Sequence, residues 1–307
     1  LVTQAIRFFS TPLVGENVTF VRVFVETPST SAPVPDVDAL LRVFVDGVEA
    51  DFSPVRSING PITSPSNPSD LVLDDHLNFL FVAPTSSDVD LRVVLNPSLQ
   101  VPDDDLGNNI AQINNLNFQC RGTVDLTYVP VNYTPGGGLP PESLTQPGVG
   151  DGFLRGIFKP GAWDYHRSPL GPLTWTQNIN QSNNALLNTL RDIRTSQIPS
   201  AGFPTPDFVY GWLPGNPFSG NGQAIGIPGD VGFGNTQSSR FQRTFAHEIG
   251  HLLGEPHNGE EANTLCIDVE HHLRDPLNIS QIRFDELDVM VAGQITSVAW
   301  VSNNTYN

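Results

Sequence analysis

The first third of the chain sets its apolar residues in short β-branched and aromatic blocks, several alternating with polar positions. Residues 18–27 (VTFVRVFVET), 39–47 (ALLRVFVDG), 76–84 (HLNFLFVAP) and 89–97 (VDLRVVLNP) are the clearest, with clusters of Pro, Ser, Asp and Asn between them. Period-two alternation bounded by turn residues predicts strands, and a succession of such short strands predicts an antiparallel sandwich. Residues 101–120 (VPDDDLGNNIAQINNLNFQC) then read as an acidic turn followed by a closing strand. No helical period is visible before residue 120.

The pattern changes near residue 122. Residues 123–133 (TVDLTYVPVNY) predict a strand, and residues 134–143 (TPGGGLPPES) a flexible connection. In residues 183–197, Leu186, Leu187, Leu190 and Ile193 fall at helical spacing, with asparagines at hand as caps. Residues 207–215 (DFVYGWLPG) predict another strand. In residues 238–257 (SSRFQRTFAHEIGHLLGEPH), Phe241, Phe245, Ile249 and Leu252 recur every three or four positions. That period predicts a second amphipathic helix, with Ser238 or Ser239 as its cap. The expected organisation is two domains: an all-β Ig-like sandwich over residues 1–122 and an α/β (α+β) domain over residues 123–307. A length of 307 residues agrees with a prior of about two domains.

Composition narrows the choice of partners. Lys and Arg number 15 against 32 Asp and Glu, a formal net charge of −17. Nucleic acid and anionic membranes are repelled by such a surface, since counterion release needs a basic patch. No stretch approaches the roughly 20 apolar residues of a membrane span. The chain carries no signal-peptide pattern, so a secreted or cell-surface location implies one that was removed or lies upstream. Two cysteines, Cys120 and Cys266, are too few for a disulfide scaffold or a cysteine-based zinc cluster. Both a Cys120–Cys266 bridge and two separate thiols remain open.

Three of the seven histidines lie within residues 247–257, HEIGHLLGEPH. His247 and His251, four apart, project from one side of the predicted helix. Neutral imidazoles so placed suit Zn²⁺. Gly254 is a natural left-handed stop, Pro256 cannot continue the helix, and His257 can swing back as a third ligand. Three protein ligands leave a fourth position for water, as in catalytic zinc sites. Glu248 then stands beside that position as a general base. Two histidines on an amphipathic helix are often mere packing, but five fixed identities agreeing in helix, stop and return chemistry are far rarer by chance than a bare H-E-x-x-H.

The H-E-x-x-H-x-x-G-x-x-H pattern of His247, Glu248, His251, Gly254 and His257 resembles the zinc-binding signature of the metzincin metalloproteases. The resemblance implies a zinc-dependent peptidase with one catalytic Zn²⁺ and a protein or peptide substrate. It also implies a methionine turn beneath the histidines, matched by Met290, the chain's one methionine. Ala292 occupies the position where some metzincins carry a tyrosine ligand, so three histidines and water are the expected set. The resemblance further implies an edge strand that binds an extended substrate, here Gly222, Gln223, Ala224, Ile225 and Gly226; an ordinary glycine-rich loop is the other reading. The closing residues AWVSNNTYN look like the start of the superfamily's C-terminal helix. The first 120 residues resemble the CARDB-type Ig-like modules of bacterial surface proteins, on GENVTFVRVFV and the acidic turn ending in Asn108 and Asn109. In that turn Asp103, Asp104 and Asp105 offer Ca²⁺ hard oxygen ligands, or form a solvated turn, since they lack the spacing of a dedicated calcium loop. His271 and His272, beside Asp268 and Glu270, are read as solvated.

Two other functions compete with the peptidase. One is a surface-adhesion protein led by the β-domain, which need hold no catalytic metal; the other is a non-proteolytic zinc amidase. The absence of G-x-S-x-G, the nucleophile elbow of α/β-hydrolases, argues against a serine hydrolase.

Overall fold

The computed structural model describes residues 13–25, 27, 31–69, 72–103, 105–237 and 240–257, together with the backbone alone of residues 2–3, 261–267, 282–288 and 299–300. The described residues are mostly β, in several sheets with few helices. They fall into two compact units, one of Leu1–Gly122 with Asn263–Asp285 and Asn307, the other of Thr123–Ala262 with Glu286–Tyr306. No helix among them is long and apolar enough to cross a membrane.

In the first unit Ala39–Val45 pairs antiparallel with Ser86–Leu95, which pairs in turn with Ile110–Gln119. Alternation sets the faces: Ala39, Leu41 and Val43 are fully buried, while Leu40 and Arg42 between them are partly exposed. Leu41 lies opposite Val93 and Val43 opposite Leu91, so each buried residue meets another across the ladder. A second antiparallel pair, Val18–Val23 with Leu77–Val82, contributes Val21, Leu77, Phe79 and Phe81 to the same core. The helical pieces described here are two 3-10 turns, Leu73–Asp75 and Leu106–Asn108. Around the latter, Asp105 accepts the Gly107 N–H and Asp103 the Asp105 N–H, each at 3.0 Å, so both carboxylates serve the turn itself. Asp104 lies outside the described residues. Cys120 is exposed with a free thiol, and the Cys266 side chain is outside them too.

The second unit is built on one sheet in the order Ala162–Arg167, Thr123–Tyr133, Phe208–Leu213, Val231–Asn235, Gly222–Ala224. The first four run parallel and the last antiparallel, at the edge. Leu173–Trp175 pairs with the far end of Thr123–Tyr133. Leu126 to Val131 are buried without interruption, as a strand covered on both faces requires. The helix Ile179–Asp192 packs Leu186, Leu187 and Leu190 against Val129, Val209 and Val231. Gly211 admits it, since a Cβ there would stand 2.9 Å from Leu190 Cδ1. The other face carries the aromatics Tyr165, Tyr210 and Trp212, against which Phe245 of the helix Phe241–Leu253 packs.

Three elements depart from the sequence expectation. The Leu186 helix starts at Ile179, with Asn178 accepting the Asn180 N–H at 3.0 Å, and passes through a π turn at Ile193–Gln197. Residues 134–157, expected to begin as a flexible connection, form a turn closed by a Tyr133–Gly138 bridge and then the short helices Glu142–Thr145 and Gly152–Ile157. The buried Asp151 carboxylate ties this segment down, binding Arg155 and the Gly148 N–H. Ala299–Trp300, expected to open a helix, is extended and pairs parallel with Leu287 and Asp288, a pleated setting that suits an aromatic residue.

Candidate metal centre

The helix Phe241–Leu253 is held by one apolar face. Phe241, Phe245, Ile249 and Leu252 are buried, and their spacing leaves His247, Glu248 and His251 on a face turned toward the edge strand. Its proposed serine caps lie outside the described residues. Its end is well determined: Gly254 has φ of 110°, a left-handed conformation that costs glycine little. The Gly254 N–H donates to the His251 carbonyl at 3.0 Å and the Glu255 N–H to the Gly250 carbonyl at 2.9 Å, the paired bonds of a Schellman motif. That reversal brings His257 back over the helix.

The three imidazoles converge. His257 Nε2 lies 3.1 Å from both His247 Nε2 and His251 Nε2. His251 Nδ1 is 2.7 Å from the Glu255 carbonyl, which only an N–H can satisfy, so the Nε2 lone pair of His251 points into the cluster. One proton on His257 Nε2 can serve only one of its two neighbours, leaving lone pairs face to face. A cation at their centre satisfies all three, and tetrahedral ligands at about 2.0–2.1 Å stand about 3.4 Å apart, close to the observed spacing. The donor set therefore fits a divalent metal of zinc's preferences. Among the described residues this is the group of three that meets the geometry for a metal ion. His247 and His251 are buried and His257 is exposed, so one side is open to solvent.

Glu248 is only 5% exposed, and burial pushes its carboxyl up to about 8, partly offset by a hydrogen bond from the Ala224 backbone. That bond locates the edge strand. Asn221 and Ile225 hydrogen-bond inward to the Val231–Asn235 strand, through Asn235 N–H to Asn221 O at 2.7 Å and Ile225 N–H to Val231 O at 3.0 Å. In an antiparallel ladder the intervening residues face the opposite way, so Gly222, Ala224 and Gly226 turn their backbone groups to the outer edge, where the Gly222 N–H donates to the Gly220 carbonyl at 2.9 Å and the Ala224 N–H to Glu248. The Gln223 side chain goes elsewhere, accepting from Asn183 at 2.7 Å, and Ile225 packs on the core beneath the Leu186 helix. Gly222 is pressed against the histidine helix: a Cβ there would lie 2.7 Å from Thr244 Cγ2 and 2.8 Å from Glu248 Oε1.

Strand, Glu248 and the histidines together line a cleft of about 410 Å³. Sequence patterning did not single out three of the groups around it. Arg240 lines the cleft, and the hydroxyls of Tyr210 and Thr244 are buried with no hydrogen-bond partner among the described residues. Tyr210 lies in the field of Glu248, and Gly234 makes room for it, since a Cβ there would be 2.2 Å from the phenol oxygen. Their only signal lies in position, since Thr244 precedes Glu248 by one helical turn. Met290, Ala292, His271 and His272 lie outside the described residues. No protein-family model matches the chain, and no match is found among curated proteins.

Proposed function

We propose that the chain is a secreted zinc-dependent endopeptidase. Residues 123–307 are read as a metzincin-like catalytic domain, and residues 1–122 as an Ig-like accessory sandwich of CARDB type. The observation that carries the reading is the meeting, in one cleft, of three convergent imidazoles, a buried carboxylate and the outer edge of a strand.

His247, His251 and His257 would hold the ion, which when bound lowers the pKa of water and polarises a carbonyl. The outer edge of Gly222–Gly226 offers its remaining backbone groups, the carbonyls foremost, to an extended peptide, which adds to the sheet as one more antiparallel strand. Strand addition places the scissile carbonyl over Glu248, because the Ala224 N–H holds that carboxylate at the same edge. Glu248 takes a proton from the attacking water as the water oxygen bonds to the carbonyl carbon, and returns it to the amine as the C–N bond breaks. A nearby positive charge favours the carboxylate form that this base needs. Met290 is assigned to the apolar floor under the imidazoles.

The test is a digest of a denatured proteome with and without chelator, alongside elemental analysis. About one zinc per chain and chelator-sensitive cleavage are expected. Absence of a stoichiometric transition metal, even after zinc reconstitution, would end the reading and favour a binding role for the β-domain.

A further inference from the structure

Arg240 stands apart from the other arginines of its unit. Arg155 pairs with Asp151, Arg167 with Glu142, and Arg191 and Arg194 share Asp230. Arg243 lies over the Phe153 ring at 4.8 Å. Among the described residues nothing pairs with the Arg240 guanidinium, which is partly exposed and lines the cleft with His247 and Glu248. In a chain of net charge −17, an unpaired cation beside the reactive groups is conspicuous.

Contacts between strand and helix fix which end of the cleft it occupies. Gly222 abuts Thr244 and Glu248, whereas Gly229 abuts Leu252 and donates its N–H to the Leu252 carbonyl. The edge strand therefore runs in the same sense as the helix. Arg240 accepts the Thr244 N–H through its carbonyl, one turn before Thr244, and so lies beyond Gly222 toward Gly220 and Asn221. A peptide paired antiparallel to the strand runs the opposite way, from the Ile227 end to the Arg240 end. Its residues after the scissile bond thus reach Arg240.

We propose that Arg240 is a specificity determinant that selects an acidic group on the C-terminal side of the cleaved bond. The inference rests on the peptidase reading above. A guanidinium offers a carboxylate two parallel N–H donors, a geometry that a neutral side chain cannot match. Side-chain carboxylates of Asp and Glu and a peptide's terminal carboxylate share this chemistry, and peptides with amidated C-termini separate the two sources.

The experiment is a cleavage profile on matched mixtures of amidated and free-carboxylate peptides for the wild type, Arg240→Ala and Arg240→Glu, with zinc content measured for each. Binding of uncleaved Asp- and Asn-bearing peptides to Glu248→Ala protein gives a second readout. A carboxylate at the start of a helix is favoured by the helix dipole, so Arg240→Glu is expected to fold and load zinc. The wild type should prefer Asp or Glu just after the bond by about tenfold over the matching amides, the factor expected of a charge-assisted hydrogen bond. Arg240→Ala should lose that preference and Arg240→Glu should turn it toward Lys and Arg. Cleavage without acidic preference, or a preference that survives both substitutions, overturns the role of Arg240 and leaves the peptidase standing. Preference only for free C-termini moves the contact to the terminal carboxylate and overturns the side-chain assignment. Zinc-loaded wild type that cleaves nothing defeats the peptidase reading itself.

Discussion

Glu248 is the residue on which chemistry and stability pull in different directions. It is a buried carboxyl beside three convergent imidazoles, and only the Ala224 N–H offsets its burial. Glu248→Ala removes the base and none of the ligands, so zinc content should persist while turnover falls by about 100-fold or more. His251→Ala should lose both. Elemental analysis and peptide turnover on the same preparations decide between these roles. Stripped of metal, the protein should also report on Glu248 through pH. Its carboxyl is held at about 8 in place of 4.5, so the folded state binds the proton more tightly than the unfolded one. The stabilising contribution is then full below about pH 4.5 and is lost as the pH rises toward 8, at up to about 1.4 kcal/mol per pH unit. Chelated wild type should lose stability relative to chelated Glu248→Gln over that range. Comparing the two cancels His251, whose pKa burial lowers and whose effect therefore has the opposite sign. Denaturant melts at matched pH give the difference, and a difference flat in pH means that the carboxyl is hydrated.

At the scale of elements, the seam between the Gly222–Ala224 strand and the histidine helix is the part most exposed to failure. Gly222→Ala puts a Cβ 2.8 Å from Glu248 Oε1 and 2.7 Å from Thr244 Cγ2, so the strand or the carboxylate must shift. Misplacement by about 1 Å can cost about 100-fold in rate, whereas the atoms nearest that Cβ belong to Thr244 and Glu248 and to none of the three histidines. Zinc content should stay while kcat/KM drops by at least about tenfold, and kinetics on zinc-quantified protein settles it. Unaltered kinetics would mean that the strand does not press on the base. The helix itself was legible from sequence because Phe241, Phe245, Ile249 and Leu252 mark a face, and Gly254 and Pro256 mark an end. The strands of the first unit were legible from the alternation of Ala39, Leu41 and Val43. Helices of four and six residues, Glu142–Thr145 and Gly152–Ile157, are too short for a period to show and depend on the buried Asp151. Arg240, Tyr210 and Thr244 acquire meaning only from the packing of helix on sheet, which no spacing along the chain encodes.

On the scale of the whole molecule, long-range and short-range charge act on a peptide in opposite ways. The net charge of −17 repels an approaching acidic peptide over the distance that salt permits. That distance is about 30 Å at 0.01 M salt and about 8 Å at 0.15 M. A carboxylate in contact with Arg240 is within hydrogen-bonding distance and partly shielded from solvent, so added salt weakens it much less. Raising salt across that range should therefore increase kcat/KM for acidic peptides, chiefly through faster association. Basic peptides should show the reverse, since the same field steers them in. Neutral peptides serve as the reference and should change little. In Arg240→Glu the slope for acidic peptides should become steeper, because a local repulsion joins the global one. The measurement is initial rate at low substrate for the three peptide charges at about 0.01, 0.05 and 0.15 M salt. Equal slopes for all three would mean that the acidic surface lies too far from the cleft to steer anything into it.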